Sequence, residues 1–304
     1  MTARRTLAAL ALIASLACAL PGAARTWEEV YPLQAQRTFT IADDGVTVWV
    51  TPAPPYDDEA EDTQESFRDS YEDATIVVQF PGAAPYHVPH DPYRSSPYGI
   101  RVGIGRMAPG DAAPTVLIAG YSGGAHCCAT LQAVSLVDGV PVSALLPMKD
   151  GEPLDAFPRD LDGDGSREFR WIDGSLLYTF TSYASSWSVP RIYRLRRGEP
   201  VDVSREPGFA KLYRDYGKRA LKACREGESE SAGACAAYAY TMAVLGRPEE
   251  GIRTAAELAG EPSWYPIDCT VEWVDDGCPE GKERTFTGFE DALRWLMREH
   301  GYLP

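Results

Sequence analysis

Four carboxylates crowd one short run, DLDGDGSREF (Asp160–Phe169): Asp160, Asp162, Asp164 and Glu168. Acids this close repel one another unless a cation neutralises them. Gly163 and Gly165 let the backbone turn tightly enough to aim the oxygens at one point. Calcium takes six to eight oxygen ligands at flexible geometry, and this loop can supply most of them. In an EF-hand loop beginning at Asp160 the closing bidentate acid would fall at Trp171, so Glu168 must serve instead. The expected ligands are therefore Asp160, Asp162, Asp164 and Glu168, with the Ser166 backbone carbonyl as a further oxygen. The expected cofactor is Ca2+ in a structural role, because the run carries no nucleophile.

A second run, TVLIAGYSGGAHCC (Thr115–Cys128), fits the G-x-S-x-G pattern of a serine-hydrolase nucleophile elbow, with Ser122 at its centre. That chemistry needs strand, sharp turn and helix, then a downstream acid and histidine. The following segment, AHCCATLQAVSLV, is ambiguous between helix and strand, although Asp138-Gly139 favours a hairpin. Of His87, His90, His126 and His300, two precede the serine and His126 lies too close to it. His300 trails an amphipathic helix at the end of the chain. Ser122 thus reads as a turn residue before it reads as a nucleophile. His126, Cys127 and Cys128, with His87 and His90, have the ligand types of a soft-metal or redox site. Against this, cysteines in an exported chain are usually oxidised.

Export is read from the first residues. Arg4 and Arg5 precede the apolar run Leu7 to Leu20, and Gly22-Ala23-Ala24 offers a cleavage site, so 1–24 is expected to be a signal peptide. No later stretch is apolar and long enough to make an integral membrane segment. A periplasmic or secreted location follows. The net charge of −15 becomes more negative once the arginines of the leader are removed, and such a surface disfavours nucleic acid. The expected partner is an unknown protein or a carbohydrate ligand. Among the aromatics Tyr178, Phe180, Tyr183, Trp187 and Tyr193, Tyr178 and Phe180 read as one strand face packed in a core. Trp187 reads as the surface candidate.

Cys18 leaves with the signal. An even set remains, Cys127, Cys128, Cys224, Cys235, Cys269 and Cys278, and points to disulfides. Local spacing suggests Cys224–Cys235 and Cys269–Cys278. By elimination Cys127 and Cys128 would form a vicinal pair.

The elements that must position these groups change character near residue 205. Up to there, short β-rich runs alternate with turns: TFTIADDGVTVWV, ATIVVQF, YGIRVGIGRM, TVLIAG, SLVDGVPVSALL, EFRWID, SLLYTFTSY and RIYRLRRGEPVDV. The acidic stretch between Pro52 and Asp73 reads as an exposed excursion. After Glu206, GFAKLYRDYGKRALKAC and CAAYAYTMAVLG are helix-like, the latter ending at Gly246, and Pro248 opens a further helix with Glu249 and Glu250 in its first turn. Thr287 and Glu290 read as a capping box for a last helix with Phe289, Ala292, Leu293 and Leu296 on one face and Gly301 as its stop. DCTVEWVDDGC reads as a turn or small hairpin stapled by Cys269–Cys278. The predicted fold class is α+β. A β-rich domain at 26–205, a sandwich or partial propeller-like set of sheets, precedes a small disulfide-stapled α-helical domain at 206–304.

Two resemblances add to this reading. D-x-D-x-D-G-x-x-[DE] followed by Phe169 resembles the calcium loop of FG-GAP and VCBS repeats, the integrin-α type, which implies a loop joining two strands of a β-blade. The helices around Tyr238, Met242 and Leu245 and after Pro248 resemble one tetratricopeptide or Sel1-like repeat over about 30 residues. A single copy implies a helical appendage rather than a peptide-binding superhelix. Together, SGGAHCC, a hairpin, DLDGDG and an aromatic strand pair resemble a class of uncharacterised exported bacterial proteins. The function expected is a non-enzymatic calcium-binding interaction protein, with a Ser122 hydrolase or a His126/Cys127/Cys128 metal or redox protein as the alternatives.

Overall fold

Two-residue turns set the register of the β-structure. At Asp44-Gly45 (φ 44° and 80°), Asp138-Gly139 (51° and 81°) and Arg197-Gly198 (52° and 80°) both central residues take positive φ. This is the primed-turn geometry whose twist matches that of the flanking strands. These turns join β2 (Phe39–Asp43) to β3 (Val46–Thr51), β8 (Ala129–Val137) to β9 (Val140–Leu145), and β11 (Val189–Arg196) to β12 (Glu199–Asp202). The computed structural model describes residues 28–30, 38–51, 74–89, 100–121, 129–146, 158–227, 231–272 and 278–304. The signal peptide, the acidic stretch 52–73, Ser122, His126, Cys127 and Cys128 lie outside them.

The strands form three sheets, all of the pairings antiparallel. One is β2-β3-β4-β5, with β4 at Thr75–Gln79 and β5 at Tyr86–His87. The second is β1-β6-β7-β8-β9, with β1 at Glu28–Val30, β6 at Ile100–Gly105 and β7 at Thr115–Tyr121. The third is β10-β11-β12, with β10 at Glu168–Asp173. Alternation builds the first core: Val46, Val48 and Val50 of β3 and Ile76 and Val78 of β4 are buried with Val102, Ile104, Val116, Ile118 and Val134 of the second sheet. Each such side chain contributes about 1.5–3 kcal/mol when fully buried. These two sheets therefore make a sandwich.

The opposite face of the second sheet is used as well. Leu117, Leu131 and Ala133 pack with Phe169 and Trp171 of β10, and Tyr193 and Leu195 of β11 lie against them. The third sheet then turns its other residues toward the helices, where Val189, Ile192 and Val203 share one core with Phe209, Tyr213, Ile252, Leu293 and Met297. The helices are α1 (Ala210–Glu226), α2 (Ser231–Val244), α3 (Pro248–Leu258) and α4 (Phe289–Glu299). Every residue of α2 is buried, so it is the central helix. Its end is a Schellman motif: the Gly246 N–H donates to Ala243 and the Arg247 N–H to Met242, with Gly246 at φ 76°. The Cys224–Cys235 disulfide joins α1 to α2, and a second joins Cys269 to Cys278. The class is α+β, with the β-sheets first and the disulfide-bearing helices after them.

Local readings needed correction in three places. SLLYTFTSY is not a strand: Asp173 accepts from the Ser175 N–H and starts a 3-10 turn at Gly174–Leu176, and Tyr178 then takes φ 57°, so the alternation is broken. Phe180 is buried while Tyr178 is exposed, and they share no face. At α4 the cap is shifted by one residue. Gly288 is the N-cap, and Asp291 rather than Glu290 accepts from the Thr287 N–H and hydroxyl, while Glu290 pairs with Arg294. The segment after Cys269 finds its partner beyond the disulfide, with Thr270 bonded to Lys282 and Arg284 to Asp268.

Candidate metal centre

The acidic loop is closed by one pair of backbone bonds. The Arg159 N–H donates to Glu168 (3.0 Å) and the Glu168 N–H to Arg159 (2.7 Å), so residues 160–167 form a tight excursion at the entry of β10. Inside it each aspartate holds the turn that follows. Asp160 accepts from the N–H groups of Gly163 (2.7 Å) and Gly165 (3.0 Å), Asp162 from Asp164 (3.2 Å), and Asp164 from Ser166 (2.7 Å). These are side-chain-to-backbone turns of the kind aspartate favours. The result brings carboxylate oxygens of Asp160, Asp162 and Glu168 within 4.8 Å of one another. Asp164 stands outside that group, and the Ser166 N–H is spent on Asp164.

The loop is anchored on three sides. The Arg167 N–H donates to Met107 (2.7 Å) beside the second sheet. Asp162 lies so close to Gly208 that a Cβ there would sit 2.5 Å from its carboxylate oxygen. Glu168 is fully buried and opposite Arg194 in the β10–β11 register.

Arg194 is the residue that the motif did not announce. Its guanidinium reaches Glu168 (2.8 Å from Nε), Asp164 (3.1 Å) and Asp162 (3.4 Å), and stands 3.7 Å from Glu206. It is separated from the loop by more than twenty residues, and only the hairpin pairing of β10 and β11 delivers it. Burial, the largest influence, pushes the Glu168 carboxyl above the usual carboxylate range, against the pull of the Leu161 N–H and Arg194. The Ser166 N–H chiefly holds Asp164 below its ordinary value. Burial disfavours the charged Arg194, but its bonds to Glu168 and the neighbouring aspartates outweigh that and raise its pKa.

Four carboxylates against Arg194 and the loop's own Arg167 leave the loop with excess negative charge. Each bonded carboxylate oxygen retains a second lone pair after accepting one N–H. An all-oxygen donor set of this kind suits a hard divalent cation, calcium above all. The residues present therefore fit a metal ion, with Asp160, Asp162 and Glu168 as the converging ligands.

The other sequence candidates part company with this site. Residues 122–128 lie outside the description, but β7 is followed by β8, an antiparallel strand beginning at Ala129. His300 Nδ1 is 2.8 Å from the Tyr240 hydroxyl, within the helical core. His87 is exposed on β5. Trp187 is half-buried against Tyr216, and Tyr193 packs beneath the second sheet. Among the described residues the exposed aromatics are Trp49 on β3 and Tyr178, Tyr183 and Trp264, and the sequence reading missed Trp49 and Trp264.

No protein-family model matches the chain, so the FG-GAP/VCBS and tetratricopeptide resemblances remain resemblances of short motifs. Over 195 residues, 62% of its length, the chain is 34% identical to a "Probable thylakoid lumen protein" of Synechocystis sp., covering 57% of that protein. Over 198 residues, 63% of its length, it is 27% identical to an uncharacterized protein of Sinorhizobium fredii, covering 30% of it. The chain thus spans less than two thirds of either relative. A solved structure titled as a Xanthomonas type IV secretion system related protein aligns over 59% of this chain and 98% of its own, at 14% identity and a TM-score of 0.15, a score that carries no fold correspondence. What the chain is similar to is therefore a lumenal protein and an uncharacterized one, each longer than the matched region.

Proposed function

We propose that this chain is an exported, non-enzymatic binding protein whose central acidic loop holds a structural calcium ion through Asp160, Asp162 and Glu168. The observation that carries the reading is the convergence of those three carboxylates within 4.8 Å. The ion would tie the entry of β10 to the 3-10 turn Pro207–Phe209 that leads into α1, since Asp162 packs on Gly208. Its role is structural: the donor set is all oxygen, offers no nucleophile and is buried at Glu168. Asp164 and the Ser166 carbonyl complete the proposed ligands.

Export is supported by the signal-like first residues, by the two disulfides, and by the lumenal naming of one relative. Among the described residues no helix is long and apolar enough to cross a membrane. A periplasmic or secreted location fits these features.

One observation favours a second reading, in which Arg194 alone balances the loop and no metal is needed. Calorimetric melting in excess chelator and in millimolar calcium separates the two. The calcium reading expects a rise of several degrees that disappears in Asp160→Asn and Asp162→Asn. An unchanged melting temperature together with no calcium heat in titration calorimetry would leave the Arg194 reading standing.

A further inference from the structure

The aromatic residues of 174–188 divide into a buried support and an exposed group. Phe180 is buried with its ring 4.9 Å from that of Phe289 of α4. Above it Tyr178 is 51% exposed and Tyr183 37%, with ring centroids 5.3 Å apart. Trp264, 42% exposed, joins them from the far side of α3: its indole N–H donates to the Tyr178 carbonyl.

Tyr178 holds a left-handed backbone, φ 57°, which is an outlier for a bulky aromatic and costs on the order of 1–3 kcal/mol. Its two backbone polar groups are both secured by side chains. The N–H donates to Ser186 Oγ (3.1 Å), whose hydroxyl donates to Ser182 (2.9 Å), and the carbonyl accepts from Trp264. The Ser263 N–H donates to Phe180 (3.1 Å) and fixes the two segments side by side. The fold thus spends strain to hold a tyrosine ring in water beside the Tyr183 ring, with the Trp264 indole bonded to the same backbone. Such strain clusters at ligand clamps.

Charge and area choose the occupant. Residues 174–190 and 262–267 contain no charged side chain, in a chain with 44 acids and 29 basic residues. Two uncharged segments on so acidic a chain, with Glu261 at the edge bonded to Tyr265, suit a neutral partner better than a charged one. The exposed parts of three aromatic side chains amount to roughly 300 Å², against the roughly 800 Å² per partner of a stable protein interface. That area matches one or two sugar rings, whose C–H faces stack on aromatic faces of negative potential.

We propose that Tyr178, Tyr183 and Trp264 form a binding site for a neutral carbohydrate. The proposal rests on the reading of the chain as a binding protein, and it is independent of whether the acidic loop takes calcium. The test uses the full disulfide-bonded chain, titrated with neutral gluco-, xylo- and chito-oligosaccharides and followed by tryptophan fluorescence and calorimetry. Binding of at least one probe is expected, weakened about tenfold or more in Tyr183→Ala and in Trp264→Ala, with the melting temperature of Tyr183→Ala unchanged. Tyr183→Ala guards against loss of the Trp264 anchor being mistaken for loss of the site. Binding to none of the probes, or binding untouched by Tyr183→Ala, overturns the proposal. So does self-association in sedimentation that Trp264→Ala abolishes, which would make the surface a contact between copies. Because calcium is read separately by melting temperature, failure of the sugar site and failure of the calcium loop give different results.

Discussion

Arg194 Nε donates to Glu168 Oε1 across 2.8 Å from the residue directly opposite in the β10–β11 register, so the buried acid of the loop is neutralised from the neighbouring strand. Glu168 is fully buried and Arg194 nearly so. Breaking such a pair from one side leaves a charge without compensation and costs about 3–5 kcal/mol. Arg194→Met is therefore expected to lose that much stability in chelator, measured by urea unfolding. The double variant Arg194→Met, Glu168→Gln should lose markedly less. Calcium should restore more stability to Arg194→Met than it adds to the wild type, because the ion supplies the missing positive charge.

Gly208 offers a way to disturb the loop without touching a carboxylate. A Cβ at this position would stand 2.5 Å from Asp162 Oδ2 and 2.8 Å from its Cβ. Gly208→Ala should push Asp162 away from Asp160 and Glu168 and weaken calcium binding about tenfold or more, as read by titration calorimetry. Gly246→Ala, strained at φ 76° but with open space around it, should cost about 1 kcal/mol and leave calcium affinity unchanged.

Asp173 sets an acid limit on the fold. Burial is the largest influence on it and raises its pKa, but Arg191 at 2.7 Å and the bonds from Ser175 outweigh it and give a net lowering. A carboxyl lowered in the folded state below about 3.9 stabilises the fold fully above that pH. The contribution is lost as pH falls through the folded value. Stability measured by urea unfolding from pH 6 to pH 2 should fall less steeply in Asp173→Asn than in the wild type, while Asp173→Asn is the less stable protein at pH 6. Equal slopes would mean that other acids carry the transition.

The Cys224–Cys235 disulfide closes the turn between α1 and α2 beneath the shared core. For a loop of this size the chain-entropy contribution is about 2–3 kcal/mol. Cys224→Ala, Cys235→Ala should lower the unfolding free energy by that amount in denaturant titrations.

The helical part should not fold alone. Its core includes Val189 and Ile192 of the third sheet and Val203 just after it, and Tyr213 donates to the Pro190 carbonyl. A fragment of residues 206–304 is expected to lack a cooperative unfolding transition by circular dichroism, whereas a fragment that begins before β10 should show one. A cooperative transition in the shorter fragment would make residue 205 a true domain boundary.

The sequence by itself determined what depends on neighbours along the chain. Glycine after aspartate or arginine fixed the hairpin turns, period-two apolar residues gave β3, short β-rich apolar runs gave β4 and β7, Pro248 and Gly246 bounded two helices, and alternating acids marked the loop. The same local logic failed where a longer-range contact decided the backbone. SLLYTFTSY alternates like a strand, yet Ser186 and Trp264 hold Tyr178 in a left-handed turn, and no window of residues around Tyr178 contains Trp264. AHCCATLQAVSLV was ambiguous because its apolar residues suit either period, and only pairing with β7 makes its described part, Ala129–Val137, a strand. Tertiary structure alone placed Arg194 beside Glu168, Gly208 against Asp162 and the Trp264 indole on the Tyr178 carbonyl. Those partners come together through strand register and core packing, which bring groups far apart in the chain to within hydrogen-bond distance and leave no local signature in the residues themselves.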